Sequence, residues 1–487
     1  MRPRVTSALL SLAACAALFA SVARAAHGFD GVWTGKIAAP HGDTDFGLAF
    51  TGTHEGTVVS VHFPEMFLHS ANFGPASIDG ATFTLAPLDL SLVREGDTLS
   101  GTFAPAKLPV TLRRGGTFAD EVPPPSFPAA PTPAWSLDLG APAWASPATR
   151  DGVIYAAATD GTLHAVRAAD GTALWTWRGP HPLYGEPLVT DDRVYLIDEY
   201  SELVCVARLD GKLVWRTPLL AAVVGTSPPP KNPTFNHRAA SPVIDAKGAT
   251  LYVGTPDGGL HAIRASNGKP LWRHDARAPI HAPLAWLGTE LVAACFDGSL
   301  FVLNPRTRRE SARTRLGGPL ASAPAVAGDR IVVGARDYQL HALAAPKLTP
   351  AWRISFWFSW VESTPRLADG VLYVGGSDYR RVSAIDPATG RRLWATDVRG
   401  LSWGSPLVTP DTVYAGTAGQ NLSGTVIQHT GGVVALDRPT GAPRWRYESP
   451  LAPNAAFTGV TGSLVHVDGK IIAAQVDGTL IAFPTKP

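Results

Sequence analysis

Short apolar runs alternate with polar turns along almost the whole chain, and few of them reach the length of a helix. The clearest stretch is 146–175: Ser-Pro, a short strand, Asp151-Gly152, VIYAAAT, Asp160-Gly161, TLHAV, then a turn ending at Trp175. Apolar runs bounded by Asp-Gly pairs predict strands joined by tight hairpins, because Asp-Gly tolerates the positive φ such turns need. The unit recurs to the C-terminus. Its opening Pro falls at 147, 187, 242, 283, 324, 365 and 406, at intervals of 40, 55, 41, 41, 41 and 41. An eighth unit over 461–483 lacks the Pro but keeps Asp468-Gly469 and Asp477-Gly478 around its apolar runs.

Each unit reads as four strands, A to D, with strand D beginning at a Trp. Four strands on this period is the scale of one propeller blade. Unit 8 ends before any strand D, and Pro133-Ala-Trp135-Ser-Leu-Asp-Leu supplies one from the other end of the array. The prediction is an all-β fold: an eight-bladed β-propeller over 133–487, closed by strand 134–139, which removes its open edges. A second spacing joins strands C and D. Ten residues separate Ala165 from Trp175, Cys205 from Trp215, Ala262 from Trp272, Ala342 from Trp352, Ala384 from Trp394 and Ala435 from Trp445. Gly171, Gly211, Gly268, Gly390 and Gly441 lie between. The small residue leaves room for an indole to pack between blades. Unit 4 breaks the rule with Val302 and Ala312.

Ahead of the array, residues 27–118 alternate as strands with turn residues between them and show no helical period. They predict a small antiparallel β domain, a sandwich or partial barrel. Five His fall here, His27, His41, His54, His62 and His69, in no spacing that matches a ligand motif. Residues 119–132 belong to a Pro-rich stretch that reads as a stiff linker. At the N-terminus, Arg2 and Arg4 precede an apolar run to Val22, and Ala23-Arg24-Ala25 fits a cleavage site, so 1–25 reads as an export signal. A second route competes with it: Leu12-Ala13-Ala14-Cys15 resembles a lipobox, which would make an outer-membrane lipoprotein anchored through Cys15. The expected place is therefore the periplasm or the exterior, with the lipoprotein as the alternative and no transmembrane span.

Charge adds little. Residues 1–25 hold three Arg and no acid, so the formal +2 of the chain becomes −1 without them. No basic surface for nucleic acid is implied. Cys205 and Cys295 each sit within a strand pattern and read as buried thiols rather than a bridge. His164, His261 and His341 occupy equivalent places on different blades, too far apart to share a metal, so no metal site is expected.

The Ala-x5-Gly-x3-Trp spacing on this repeat resembles the tryptophan-docking motif of eight-bladed quinoprotein (PQQ-like) propellers. The resemblance covers 133–487 and not 27–118. That superfamily includes dehydrogenases that use pyrroloquinoline quinone (PQQ) and the non-catalytic propeller lipoprotein of the outer-membrane β-barrel assembly machinery. On the resemblance, Trp135, Trp175, Trp215, Trp272, Trp352, Trp394 and Trp445 are docking residues. The chain departs from the dehydrogenase pattern. It has no adjacent Cys pair, no long decorations on most blades and no Asp at the inferred channel mouth.

Functional information is expected where the repeat breaks. The insertions at 218–238 and 416–432 fall on the face of the D-to-A and B-to-C connections. The residues before each opening Pro should ring the channel there: Trp144, Tyr184, Glu186, His237, Arg238, His281, Glu362 and Trp403, with Trp360 close behind. They form the candidate ligand site. The segment 354–360 is either a continued strand D or an apolar patch for a partner. These features point to an exported binding or assembly scaffold with a cell-envelope protein partner and no catalytic residues. The alternative is a PQQ-dependent oxidoreductase of the alcohol or sugar dehydrogenase type, with PQQ and Ca²⁺ at the channel mouth.

Overall fold

The computed structural model describes residues 28–38, 43–53, 56–66, 68–75, 77–103, 107–118, 125–220, 240–357, 359–420, 429–450 and 456–485. The predicted export signal with Cys15, the candidate residues His237 and Arg238, and most of the 218–238 insertion lie outside the described residues, as do 421–428. The chain divides into two compact units, Met1–Pro123 and Pro124–Pro487.

In the first unit nine strands form one antiparallel sheet. Its middle pairs Gly31–Ile37 with both Thr44–Thr53 and Leu108–Arg114. Its edge strands are Leu68–Pro75 and Ser77–Asp79, which are consecutive in the chain. One residue separates them, so the sheet curls until its two edges approach, giving a partial barrel. Alternate residues point inward, as a strand period of two requires. Trp33, Phe46, Leu48, Val61, Phe63, Leu92, Leu99 and Leu112 are all fully or almost fully buried. Phe46 meets Phe63 and Phe103 edge-on at 5.5 and 5.6 Å, the geometry ring quadrupoles favour. Of the five His in this unit, the structure describes the side chain of His62 alone; it is buried and stacked on Phe118 at 4.6 Å.

In the second unit the strands form eight antiparallel blades, seven of them built from consecutive strands. The eighth is completed by Trp135–Asp138, which pairs with Thr479–Pro484 in the register Trp135↔Ala482. Bonds from Ala134 N to Ala482 O (2.8 Å) and from Leu139 N to Gly478 O (2.9 Å) extend that closure at both ends. Strands B and C read as continuous apolar runs because both of their faces are covered. Ile154, Ala156 and Val166 of blade 1 pack on Ile472, Ala474 and Leu480 of blade 8. Tyr155, Leu163 and Ala165 pack on Val194, Leu196 and Val204 of blade 2. Each such Val, Leu or Ile burial is worth about 1.5–3 kcal/mol. Strand D is the outer edge and alternates, as in Ala173–Arg178. Pro128 and Ala130 of the Pro-rich stretch pair with Arg446 on blade 7, so that part lies along a blade edge.

The tryptophans dock as a chain of contacts from blade to blade. The indole N–H of Trp135 donates to Ala168 O at 3.0 Å, Trp175 to Arg208 O, Trp215 to Ala265 O, Trp352 to Pro387 O and Trp394 to Arg438 O. Each acceptor lies on the C-to-D turn of the next blade. The space for the ring comes from the turn glycine rather than the alanine. Ala165 is the cross-strand partner of Trp175 within its own blade. A Cβ on Gly211, by contrast, would sit 2.5 Å from the Trp175 ring, and Gly211 has φ +69°. Trp272 and Trp445 make no such bond among the described residues. Blade 4 carries Arg308, at φ +60°, where the glycine would stand, and blade 8 has no C-to-D turn because its two strands come from opposite ends of the unit.

Candidate functional site

One to three described residues of each D-to-A connection face the propeller axis, and together they line an open cavity of about 140 Å³. The position three before the opening Pro supplies Trp144, Tyr184, Glu362 and Trp403, and Thr461 at the equivalent place of blade 8. Trp144 and Trp403 both meet Phe457 edge-on at 5.6 Å, so the connections entering blades 7, 8 and 1 make one aromatic wall. His281 enters from the connection before blade 4, its ring 5.2 Å from Phe296.

The residue just before the Pro forms a ring of hydroxyls that ties blade to blade. Glu186 N donates to Ser241 Oγ (2.8 Å), Ala323 N to Thr364 Oγ1 (3.1 Å), Ser405 N to Ser463 Oγ (2.9 Å) and Ser463 N to Ser146 Oγ (2.8 Å). These bonds satisfy backbone N–H groups that the inward turn takes off the strand ladder. Across the eight equivalent positions the residues are Ser146, Glu186, Ser241, Ala282, Ala323, Thr364, Ser405 and Ser463. Glu186 is the one acid among them. Its carboxylate keeps contact with water but is ringed by protein, and that partial desolvation pushes it up to about 7, against a smaller opposing pull from Arg366. Burial, with Glu199 adding to it, pushes the Tyr184 phenol up to about 12, so Tyr184 stays protonated.

A second set of axial contacts comes from the residue before the B-to-C turn Asp of blades 1, 4, 5 and 6, and the sequence reading missed it. Its backbone N–H reaches back to the D-to-A connection of the same blade: Thr159 N to Pro142 O, Phe296 N to Pro279 O, Arg336 N to Pro319 O, Ser377 N to Trp360 O. Side chains from this set bond to the next blade's axial residues. Arg336 donates to Glu362 Oε1 from Nε (2.8 Å) and Nη2 (2.6 Å); Glu362 is buried and Arg336 nearly so. The Arg336 guanidinium lies 4.2 Å from the Trp360 ring centre and 5.0 Å from that of Phe296, so it is sandwiched as well as paired. Ser377 Oγ accepts from Trp403 Nε1 at 2.9 Å, which fixes that indole's orientation. The repeat marks Arg336 as unusual, since it stands where other units have Thr159 or Val476 ahead of the same Asp, but it does not show what Arg336 pairs with.

Of the nine candidate residues, six line the one cavity: Trp144, Tyr184, Glu186, His281, Glu362 and Trp403. Trp360 does not line it; it lies behind, against Arg336. His237 and Arg238 lie outside the described residues. The described residues of 354–360 form no surface patch. Ile354, Phe356 and Trp357 are buried, Phe356 against Tyr379 at 5.4 Å. His261 bonds Thr255 at 3.1 Å and His341 bonds Asp337 at 2.9 Å, each within its own blade. Cys205 and Cys295 are unbridged and buried, and burial pushes both thiols up to about 12. Among the described residues no group of three His, Cys, Asp or Glu is arranged to hold a metal ion.

The described residues do not fit PQQ with Ca²⁺. PQQ is a tricyclic tricarboxylate, whereas about 140 Å³ is the room of a single benzene-sized ring, which fits a cavity of about 150 Å³. Ca²⁺ takes about 6–8 oxygen ligands, and the Glu362 carboxylate is already committed to Arg336.

Eight four-stranded blades, indoles docked on turn glycines and an axial cavity define a PQQ-like β-propeller. Residues 131–246, 235–311 and 296–487 match the family described as outer membrane protein assembly factor BamB, and the chain belongs to that family. The outer membrane protein assembly factor BamB of Burkholderia pseudomallei is 25% identical over 270 residues, 52% of this chain and 65% of that protein. A quinoprotein ethanol dehydrogenase of Pseudomonas aeruginosa is 34% identical over 146 residues, 27% of this chain and 22% of that protein. The chain thus matches less than two thirds of the length of either relative. Among solved structures, the quinohemoprotein alcohol dehydrogenase from Comamonas testosteroni superposes with a TM-score of 0.54 at 13% identity, over 72% of this chain and 76% of that one, a likeness of fold alone.

Proposed function

We propose that this protein is an exported, non-catalytic binding module of the cell envelope that serves the assembly of outer-membrane proteins. The observation that carries the reading is the extent of the family match, which runs through the whole propeller from 131 to 487. The axial cavity agrees with it, since its two carboxylates are not set out together as ligands for a metal ion: Glu362 is paired with Arg336 and Glu186 stands apart on blade 2. Among the described residues no helix is long and apolar enough to cross a membrane. In this reading the rigid blades hold the D-to-A and B-to-C connections as one recognition face. The test is to cross-link the tagged full chain in living cells and identify what is captured. Recovery of outer-membrane assembly proteins is expected, and a clean wild-type capture that contains none of them overturns the assembly role.

A second reading, a PQQ-dependent oxidoreductase, is favoured by the 34% identity to the ethanol dehydrogenase. Titrating the purified protein with PQQ and Ca²⁺, with dye-linked alcohol oxidation as readout, separates the two. No saturable change in the quinone spectrum and no turnover is the expected result; saturable binding with turnover replaces the binding-module reading.

A further inference from the structure

We propose that the axial cavity binds an alkylammonium group, with Glu186 as its counter-ion and Trp144, Trp403 and Tyr184 as its aromatic wall. The inference stands apart from the assembly reading, because it concerns this cavity's own chemistry and holds or fails without any protein partner.

Four observations carry it. The first is a carboxylate with no partner: no hydrogen bond or ion pair reaches the Glu186 side chain among the described residues, whereas Glu362, the other acid of the cavity, takes two bonds from Arg336. The second is position. Glu186 replaces the hydroxyl that five equivalent positions carry, so it is not needed to hold the blades together; its own structural bond is made by its backbone N–H to Ser241. The third is the wall. Trp144 and Trp403 are held by Phe457, and Trp403 also by Ser377, so two indoles and the protonated Tyr184 phenol present fixed rings around the axis. Aromatic faces attract cations, and trimethylammonium and methylammonium groups are recognised in this way. The fourth is size. A cavity of about 140 Å³ has the room of one compact group. An anion is disfavoured because it would meet the Glu186 carboxylate, and a neutral apolar guest would leave that carboxylate desolvated without compensation.

Among the described residues the ionisable groups at the cavity are Tyr184, with Glu199 acting on it, His281, the Arg336–Glu362 pair and, acting on Glu186 from blade 6, Arg366. Partial desolvation holds the Glu186 carboxyl at about 7, and a cation bound beside it favours the ionised form, so binding strengthens as pH rises through that value.

The chemistry has two sources, a free small cation or the end of a lysine side chain, and the test has an arm for each. Saturation-transfer NMR on the full chain at pH 8 uses tetramethylammonium for the first and Nα-acetyl-lysine amide for the second, with neopentyl alcohol as the neutral isostere. Saturable transfer to at least one cation and none to the alcohol is expected. Glu186→Gln and Glu186→Ser should each weaken it by about tenfold or more while the near-ultraviolet circular dichroism stays unchanged. Glu186→Ser restores the residue of the equivalent blades and so guards against a folding defect. The wild-type protein gives a control free of mutation: affinity at pH 5.5 should be on the order of tenfold below that at pH 8. Equal binding of the alcohol, affinity unchanged in both variants, or no saturable transfer to either cation each overturns the proposal.

Discussion

Arg336 and Glu362 show at the level of single residues how the axis is held open. Two donors of one guanidinium converge on Glu362 Oε1, and the pair is sealed between Trp360 and Phe296. Burying two charges costs nearly as much as their attraction returns, so the pair adds little net stability, but removing one partner leaves the other stranded. Arg336→Ala is therefore expected to lower the stability of the propeller by about 3–5 kcal/mol. Arg336→Ala with Glu362→Gln should recover much of the loss, since the stranded charge is gone. Arg336→Lys should fall between, because an ammonium cannot stack and donate in the same plane. Urea unfolding at neutral pH reads all three, and a loss below about 1 kcal/mol for Arg336→Ala, the range of exposed pairs, would show that water reaches Glu362. The glutamate was legible in the sequence as an axial residue. Its partner was not, because pairing joins a B-to-C turn of one blade to a D-to-A connection of the next, and no spacing within a repeat encodes a contact between repeats.

At the scale of the element, the C-to-D turn is where one blade receives its neighbour. Gly211 and Gly248 both adopt a left-handed φ, +69° and +66°, yet only Gly211 faces a ring; nothing lies within 4 Å of a Cβ built on Gly248. The pair separates backbone strain from packing. An alanine at either turn costs about 1–2 kcal/mol for the conformation. Gly211→Ala should cost about 1–3 kcal/mol more, because the Trp175 ring must shift. Equal shifts in thermal midpoint for Gly211→Ala and Gly248→Ala would mean that the indole is not tightly docked. Most of this architecture could be read from the chain. The Asp-Gly turns fix the hairpins, and the ten-residue spacing to Trp175 and its equivalents fixes which strand is outermost. The spacing misled on mechanism: it pointed to Ala165 as the space-maker, when Ala165 only faces Trp175 within its blade and Gly171 admits Trp135 from the blade before. Similarly, the aromatics at 354–360 suggested a surface, but Phe356 and Trp357 turn inward because Tyr379 and Arg392 offer that segment an aromatic and cationic seat.

Closure governs the whole propeller unit. Open repeat arrays lose stability from their ends inward, each unit leaning only on its neighbours. Here Trp135–Asp138 and Thr479–Pro484 come from the two ends of the propeller and share one sheet, so there is no terminal blade from which fraying can start. The indole of Trp135 adds a second lock, reaching blade 1 through Ala168 O and covering Gly171. One side chain thus joins the last blade to the first. Truncating a well-packed Trp costs about 3–5 kcal/mol in general, but the distribution of the loss is what distinguishes a closed ring. In Trp135→Ala, amide exchange followed by mass spectrometry should accelerate most in Lys470–Ala474 and Thr479–Pro484 of blade 8 and in Val153–Ala157 of blade 1. Glu290–Ala294 and Ser299–Asn304 of blade 4, on the far side of the ring, should keep nearly wild-type protection. Trp352→Ala, the same truncation at an interior junction, should leave blade 8 protected. Uniform acceleration around the ring in both variants would instead mean that the eight blades open as a single cooperative unit, with closure no more critical than any other junction.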